Sequence, residues 1–495
     1  MVHLDSSTLD TIGRDGRVQV PTYDRSRVHS GIVHIGVGGF HRAHQAAYVD
    51  ALLERGEALD FGITGVGLLP GDRRMHEVLH DQDCLYTLVV KDPDGTLHPR
   101  VVGSIVDYLF APDDPEAVLS ALADPATRIV SLTITEGGYL ANQSTGQLDA
   151  DDPSIAADLV PGATPSTAFG FLTESLRRRR DAGTAPFTVL SCDNIEGNGE
   201  LAHRMLVAFA GLLDPELADW IDTHVAFPTC MVDRITPVTA EEDREVLADR
   251  FDVEDGWPVV CEPFAQWVLE DRFPAGRPAY DEVGVQLVED VRPYELMKLR
   301  LLNVGHQALA YLGYLAGYRH THEVAADPLF AGFVRGYMDA EATPTLEPVP
   351  GVDLEDYKAE LVERFAHPEI KDTLERLCAY SSDRIPKWLV PVIRANVAAD
   401  RPVRRSALVV ASWARYAEGV DEDGDPIDVV DQRKDAVLER AQQQREDPVA
   451  FLRDPDLFGD LVDDETFTAA YTEALESLHA HGARATLEAW ERGDA

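Results

Sequence analysis

Lysine is scarce in this chain. Of 44 basic residues, six are lysines: Lys91, Lys298, Lys358, Lys371, Lys387 and Lys434. Bases of both kinds are outnumbered by 87 acids, leaving a formal charge of −43. So acidic a surface repels polyanions, which argues against nucleic acid or an anionic membrane as partner. No apolar run reaches the ~18 residues of a membrane span. The opening MVHLDSSTLD lacks the basic-then-apolar pattern of a secretion signal. A soluble cytoplasmic protein is expected. Cysteine is sparse too: Cys84, Cys192, Cys230, Cys261 and Cys378 are scattered, odd in number and form no CxxC pair. That argues against a disulfide framework and a cysteine zinc site. Arg-for-Lys usage with excess Asp and Glu suggests a halophilic protein, whose carboxylates are screened by salt. A genome rich in Arg codons would explain the arginines, but less easily the −43.

What is present is globular. The 495 residues are 45% apolar and 26% charged, enough for two or three domains with sizeable cores. From about 30 to 240, short Val/Ile/Leu-rich runs alternate with helical stretches. The strand candidates are 31–36, 61–68, 128–135, 187–192 and 224–231. Such alternation predicts a mostly parallel sheet covered by helices on both faces. Several strands end on polar residues: Glu136, Asn194 and Asp233. Ligands of open α/β sheets lie beyond the carboxyl ends of strands. From about 288 the texture is helical, with candidates at 295–317, 329–337, 354–365, 370–380, 406–419, 431–444 and 464–482. The fold class expected is α/β: a Rossmann-like doubly wound sheet over 1–290, followed by a mainly α-helical domain over 291–495. The boundary falls near Arg292-Pro293.

The segment GIVHIGVGGFHRAHQAAYVDALLERG carries the strongest local signal. A buried strand runs into Gly36-Val37-Gly38-Gly39, and a helix is expected from about Arg42. Gly36 would allow the tight turn and Gly38 the close approach of a pyrophosphate, with the helix N-terminus aimed at its charge. The match departs from G-x-G-x-x-G at its third glycine, where His41 stands. The acid expected about 20 residues on arrives late, as Asp72 in GLLPGDRRM. His41 and His44 have no acid or cysteine nearby to complete a metal set, so capping or packing is expected of them.

A second signal is YELMKLRLLNVGHQALAYLGYLAG, residues 294–317. Apolar residues surround this helix, as in a buried one. Within it lie Lys298, Asn303 and His306. At about 100° per residue, His306 falls near 80° and Asn303 near 140° from Lys298, with Glu295 about 60° to the other side. Buried Lys, Asn and His are costly without partners. A lysine there tends towards deprotonation, as a general base requires. Tyr294-x-x-x-Lys298 also matches the pair of short-chain dehydrogenases, but that pair belongs to chains about half as long, much nearer the glycine turn.

These landmarks, with SLTITEGGY, VLSCDNIEGNG, FPTCMVDRITP, RIPKWLVP and the spacing Lys298-x4-Asn303-x2-His306, resemble those of the polyol-specific long-chain dehydrogenases, the mannitol dehydrogenase family. The resemblance spans nearly the whole chain. It implies a metal-independent oxidoreductase transferring hydride between a polyol secondary alcohol and NAD, D-mannitol to D-fructose above all. A fructuronate or tagaturonate reductase, or an arabinitol dehydrogenase, is the alternative. The resemblance further implies Lys298 as general base, Asn194 and Asn303 as donors to the substrate oxygen, His306 as its orienter, and Glu295 at a water path. Arg376 and Asp233 would contact substrate, with Arg384 or Lys387 less securely placed. Ile35, Gly36, Val37, Gly38, Gly39, Phe40, His41, Arg42 and Glu136 would line the cofactor, and Asp72 its adenosine ribose. Asp72 would favour NAD, and Arg73 and Arg74 would leave some NADP use. The expected partner is a small polyol or ketose, and the expected state a monomer or weak homo-oligomer.

Overall fold

In the computed structural model, residues 1–142 and 146–492 are described. The chain divides into two compact units, Met1–Val291 and Arg292–Ala495. The first is built on five parallel strands: β1 (Ser30–Ile35), β2 (Gly62–Gly67), β3 (Ile105–Phe110), β4 (Ile129–Leu132) and β5 (Thr188–Ser191). Their order is β3-β2-β1-β4-β5, every neighbour parallel. That is the doubly wound dinucleotide-fold order, in which the strand sequence reverses between β1 and β4. The central strands are buried on both faces, which is why they read as near-continuous apolar runs. Ile32 packs with Ile63, Ile105 and Ile129 on one face; Val33 and Ile35 pack with Val130, Leu132 and Phe169 on the other. The helix Ala168–Ala182 is opened by Thr167, whose hydroxyl accepts the Gly170 amide, and closed by Gly183 at φ 68°.

The run at 224–231 is not a strand of this sheet. His224 ends a helix, Pro215–His224, that Asp214-Pro215 starts. The strand begins at Cys230, runs to Asp233, and pairs antiparallel with Gln266–Glu270 in a separate sheet. Pro228 between them has no N–H to give to a ladder. A hairpin, Tyr86–Lys91 with Leu97–Val102, also stands apart from the main sheet.

The second unit is helical. Leu354–Phe365 matches its expected span, and Pro328–Tyr337 and Arg404–Tyr416 match closely. The stretch at 370–380 contracts to Leu374–Cys378, and two further helices follow, Ser381–Trp388 and Val390–Val397. The final helix, Glu465–Arg492, is kinked at Gly482, where φ is 79°. All five cysteines are buried free thiols. Among the described residues no helix is long and apolar enough to cross a membrane.

Candidate active site

The glycine turn leaves β1 at the point where the strand order reverses. Gly36 has φ +94° and its amide donates to Val66 O at 3.0 Å. A Cβ there would lie 2.2 Å from Thr133 O, so the position admits glycine alone. At Gly38 a Cβ would meet nothing nearer than Gly36 O at 3.9 Å. Its backbone is therefore bare towards open space, the condition for a closely approaching pyrophosphate. These residues fit a dinucleotide.

The helix starts earlier than expected. It runs Gly39–Ala43, breaks at His44 (φ −122°, ψ −95°), and resumes over Gln45–Glu54. His41, at the third glycine position, lies flat on His34 of β1, with centroids 3.4 Å apart and planes 9° apart. Burial pushes the His34 imidazole down to about 3 and His41 well below its ordinary range. His34 sits 2.8 Å from Ser131 Oγ and 2.9 Å from Thr133 Oγ1, and the Thr133 hydroxyl donates to Gly36 O at 2.6 Å. A stacked histidine pair thus replaces the usual close glycine packing and fixes the turn. His44 Nε2 lies 3.0 Å from Gln266 O. Arg42 belongs to the interior: Nη1 donates to Trp257 O at 2.5 Å, and the guanidinium lies over Tyr86. Ile35 and Val37 are buried, while Gly39 and Phe40 are half-buried.

Across the reversal, β4 ends in the short turn Thr135–Gly138, which carries exposed Glu136. Asp193, at the end of β5, holds this turn. Its carboxylate accepts the amides of Ile134 (3.1 Å) and Thr135 (2.8 Å) and the Tyr139 hydroxyl (2.8 Å). Burial raises its pKa to about 6 against those hydrogen bonds. Thr135 sits at φ 60°, a conformation that needs such anchoring. Asn194, next in the chain, is exposed. From below, Asn198 Nδ2 donates to Asp193 O (3.0 Å) and Cys230 O (2.8 Å), tying Asn194's segment to the strand that ends at buried Asp233. The sequence reading missed Asp193 and Asn198. Their signal was the DNIEGNG run, polar residues at a strand end, from which Asn194 alone was singled out.

Asp72 closes a short turn, Pro70–Asp72, beyond the carboxyl end of β2, and its carboxylate accepts the Leu69 amide at 2.9 Å. An ionised carboxylate offers about four acceptor sites, so capacity remains for a ribose hydroxyl.

In the second unit, Arg292–Met297 and Val304–Leu315 are α-helical, and Lys298–Asn303 between them is a π-helix. The Val304 amide reaches back to Leu299 O, five residues away. This overturns the angular placement made at 100° per residue. In a π turn the hydrogen bonds join residues five apart, so the wider turn brings Asn303 round towards the side of Lys298. Glu295 and His306 lie three residues outside each end, where α-helical neighbours share a face. The four are brought towards one face of the helix, each 6–8% exposed. The widened turn is stabilised from outside: the Tyr337 hydroxyl donates to Arg300 O (3.2 Å) and Arg300 Nη1 to Thr345 O (2.6 Å). A Cβ at Gly305 would lie 3.0–3.2 Å from Met338 and Phe365, so the missing side chain lets both pack close. The His306 ring packs on Phe365, 4.4 Å between centroids. Asn303 Nδ2 is buried with no hydrogen-bond partner among the described residues.

Arg376 is exposed and engages Asp372 through Nε (2.5 Å) and Nη2. Arg384 donates to Leu377 O at 3.1 Å, and Lys387 pairs with Asp383 at 2.5 Å.

Comparison with known proteins bears on the whole chain. Residues 30–282 match the Mannitol dehydrogenase Rossmann domain and residues 290–479 the Mannitol dehydrogenase C-terminal domain. The mannitol 2-dehydrogenase of Phaeosphaeria nodorum is 49% identical over 474 residues, 95% of this chain and 83% of that protein. The Pseudomonas fluorescens mannitol 2-dehydrogenase, solved as a ternary complex with NAD and D-mannitol, is 46% identical with a TM-score of 0.91 over 99% of this chain and 100% of that one. A D-sorbitol dehydrogenase in substrate-free form is 38% identical with a TM-score of 0.89, covering 98% and 100%.

Proposed function

The chain belongs to the mannitol dehydrogenase family, and from that premise we propose that it oxidises D-mannitol at C2 to D-fructose with NAD, and catalyses the reverse reduction. It is an NAD-dependent polyol dehydrogenase by its likeness to enzymes of that name and to a complex of NAD with mannitol.

The observation that carries the mechanism is the buried Asn303 Nδ2, unpartnered among the described residues, on the same π turn as Lys298. Folding alone gives no reason to bury an unsatisfied donor, which costs about 1–3 kcal/mol. A substrate oxygen supplies the missing acceptor. The bound nicotinamide supplies the hydride acceptor. The chain's own residues then have two tasks, to take the hydroxyl proton and to steady the oxygen as negative charge grows on it. Lys298, buried on this turn, takes the proton at Nζ, the general-base role that the family resemblance implies for it. Asn303 Nδ2 donates to the oxygen, and the family resemblance implies the same role for Asn194. His306, braced by Phe365, orients the same oxygen, and Glu295 relays the proton onward through water. No metal is required by this chemistry. Gly36 and Gly38 admit the pyrophosphate, and Asp72 favours a free ribose 2′-hydroxyl.

Initial rates on D-mannitol, D-arabinitol, D-sorbitol, D-fructose and fructuronate with each nicotinamide cofactor test the reading. D-Sorbitol is included because of the likeness to a D-sorbitol dehydrogenase. Mannitol and fructose with NAD should give the highest kcat/KM. Turnover of fructuronate without mannitol would move the chain to the hexuronate reductases.

A further inference from the structure

Two arginines follow Asp72, and the fold treats them differently. Arg74 lies over the Trp257 ring, 4.8 Å from its centroid. Arg73 lies over Phe110, the last residue of β3, at 4.7 Å. There its guanidinium meets Asp113: Nη2 donates to Oδ1 at 2.8 Å and Nη1 to Oδ2 at 3.2 Å. This is a two-pronged pairing of guanidinium with carboxylate, which fixes direction as well as charge. Asp113 sits just beyond β3, the strand beside β2, in the turn before the helix Pro115–Ala123. It therefore reaches Arg73 from a different loop than the one holding Asp72. Both partners are about half exposed, at 51% and 52%, so ligands in solution can compete for either.

A 2′-phosphate on the adenosine ribose carries about −2. It needs a guanidinium near the end of the second strand, where an acid instead selects the 2′-hydroxyl. Arg73 is well placed by sequence to serve, directly after Asp72. In the fold its fork is already occupied, and the occupying group is a second carboxylate at the same edge. We propose that Asp113 is a cofactor-selectivity residue: by engaging Arg73 against Phe110 it withholds that cation from 2′-phosphorylated dinucleotides. Selectivity for NAD is then shared between two acids, Asp72 on the ribose and Asp113 on the arginine. The inference rests on the dinucleotide reading of the glycine turn.

Binding of 5′-AMP and 2′,5′-ADP, measured by titration calorimetry at one fixed salt concentration, tests it. The proteins are the wild type, Asp113→Asn, Arg73→Ala and the double variant; both positions are on the surface, so folding is not at stake. Asp113→Asn should tighten 2′,5′-ADP about fivefold, the order set by one exposed charge pair, and leave 5′-AMP unchanged. The gain should vanish in the double variant. No gain in Asp113→Asn overturns the proposal. So does a gain that persists without Arg73, because charge removal alone would then account for it. A wild type that fails to bind 5′-AMP overturns the dinucleotide reading itself, a result distinct from either.

Discussion

Replacing Asn303 by alanine separates a catalytic amide from a structural one. Its Nδ2 is buried and unpartnered, so the free enzyme loses no hydrogen bond from that nitrogen when it is removed. A buried amide that stabilised the fold would cost about 1–3 kcal/mol on deletion. For a unit of this size that is a fall in Tm of roughly 2–4 °C per kcal/mol. Here the orphaned donor is itself a cost, so its removal offsets part of the packing lost with the side chain. The expected fall in Tm is below about 4 °C. Turnover should respond very differently. A donor aimed at an oxygen that gains charge in the transition state is worth about 10²–10³ in kcat. Because the bond strengthens as charge develops, KM for mannitol should change by less than about threefold. Steady-state kinetics with saturating NAD, alongside thermal scans, give all three quantities. A kcat within tenfold of wild type, or a loss of activity that tracks a large fall in Tm, would refute the reasoning.

Two further outcomes follow from buried and surface charge. Asp193 is neutral up to about pH 6 in the fold but ionises near its ordinary value when unfolded. The stability tied to its protonated form is thus fully present below about pH 4 and is lost as pH rises through about 6. Asp193→Asn cannot ionise, so the wild-type Tm minus the variant Tm should be larger at pH 4.5 than at pH 7; an equal difference at both would remove the burial effect. The −43 charge should make the fold salt-dependent, since at 1 M salt the Debye length is about 3 Å and carboxylate repulsion is screened. Melting temperature and activity should rise from 0.1 M to 2 M KCl, and a flat or falling Tm would sink halophilic adaptation.

The two landmarks on which the proposed chemistry rests were readable because each leaves a local trace. A strand that ends in glycines announces a turn at Gly36, and the apolar surround of Lys298 announces burial. The fold class followed from alternation alone. Side-chain periodicity does not encode which carbonyl an amide reaches, so the π turn between Lys298 and Asn303 was invisible, and with it the shift of Asn303 towards the side of Lys298. The His41 departure looked like a weakness of the motif; the stack on His34 that explains it pairs residues on different elements. Arg42 entered the cofactor set through the family resemblance; in the fold its guanidinium lies against Tyr86 and Trp257, contacts with residues remote in sequence that no local pattern announces. Residues 224–231 read as one apolar run because burial, not strand pairing, is what apolar composition reports. The Arg73–Asp113 pair likewise depends on β3 lying beside β2.

The central claim is that Lys298 removes the substrate proton, and turnover of Lys298→Ala tests it most directly. With mannitol and NAD saturating, and NAD binding checked separately, kcat should fall by about 10²–10⁴ while NAD affinity and Tm stay near wild type, and small primary amines should restore part of the activity. A variant that keeps more than about a tenth of wild-type turnover, against that range, contradicts the account and assigns the proton to another group.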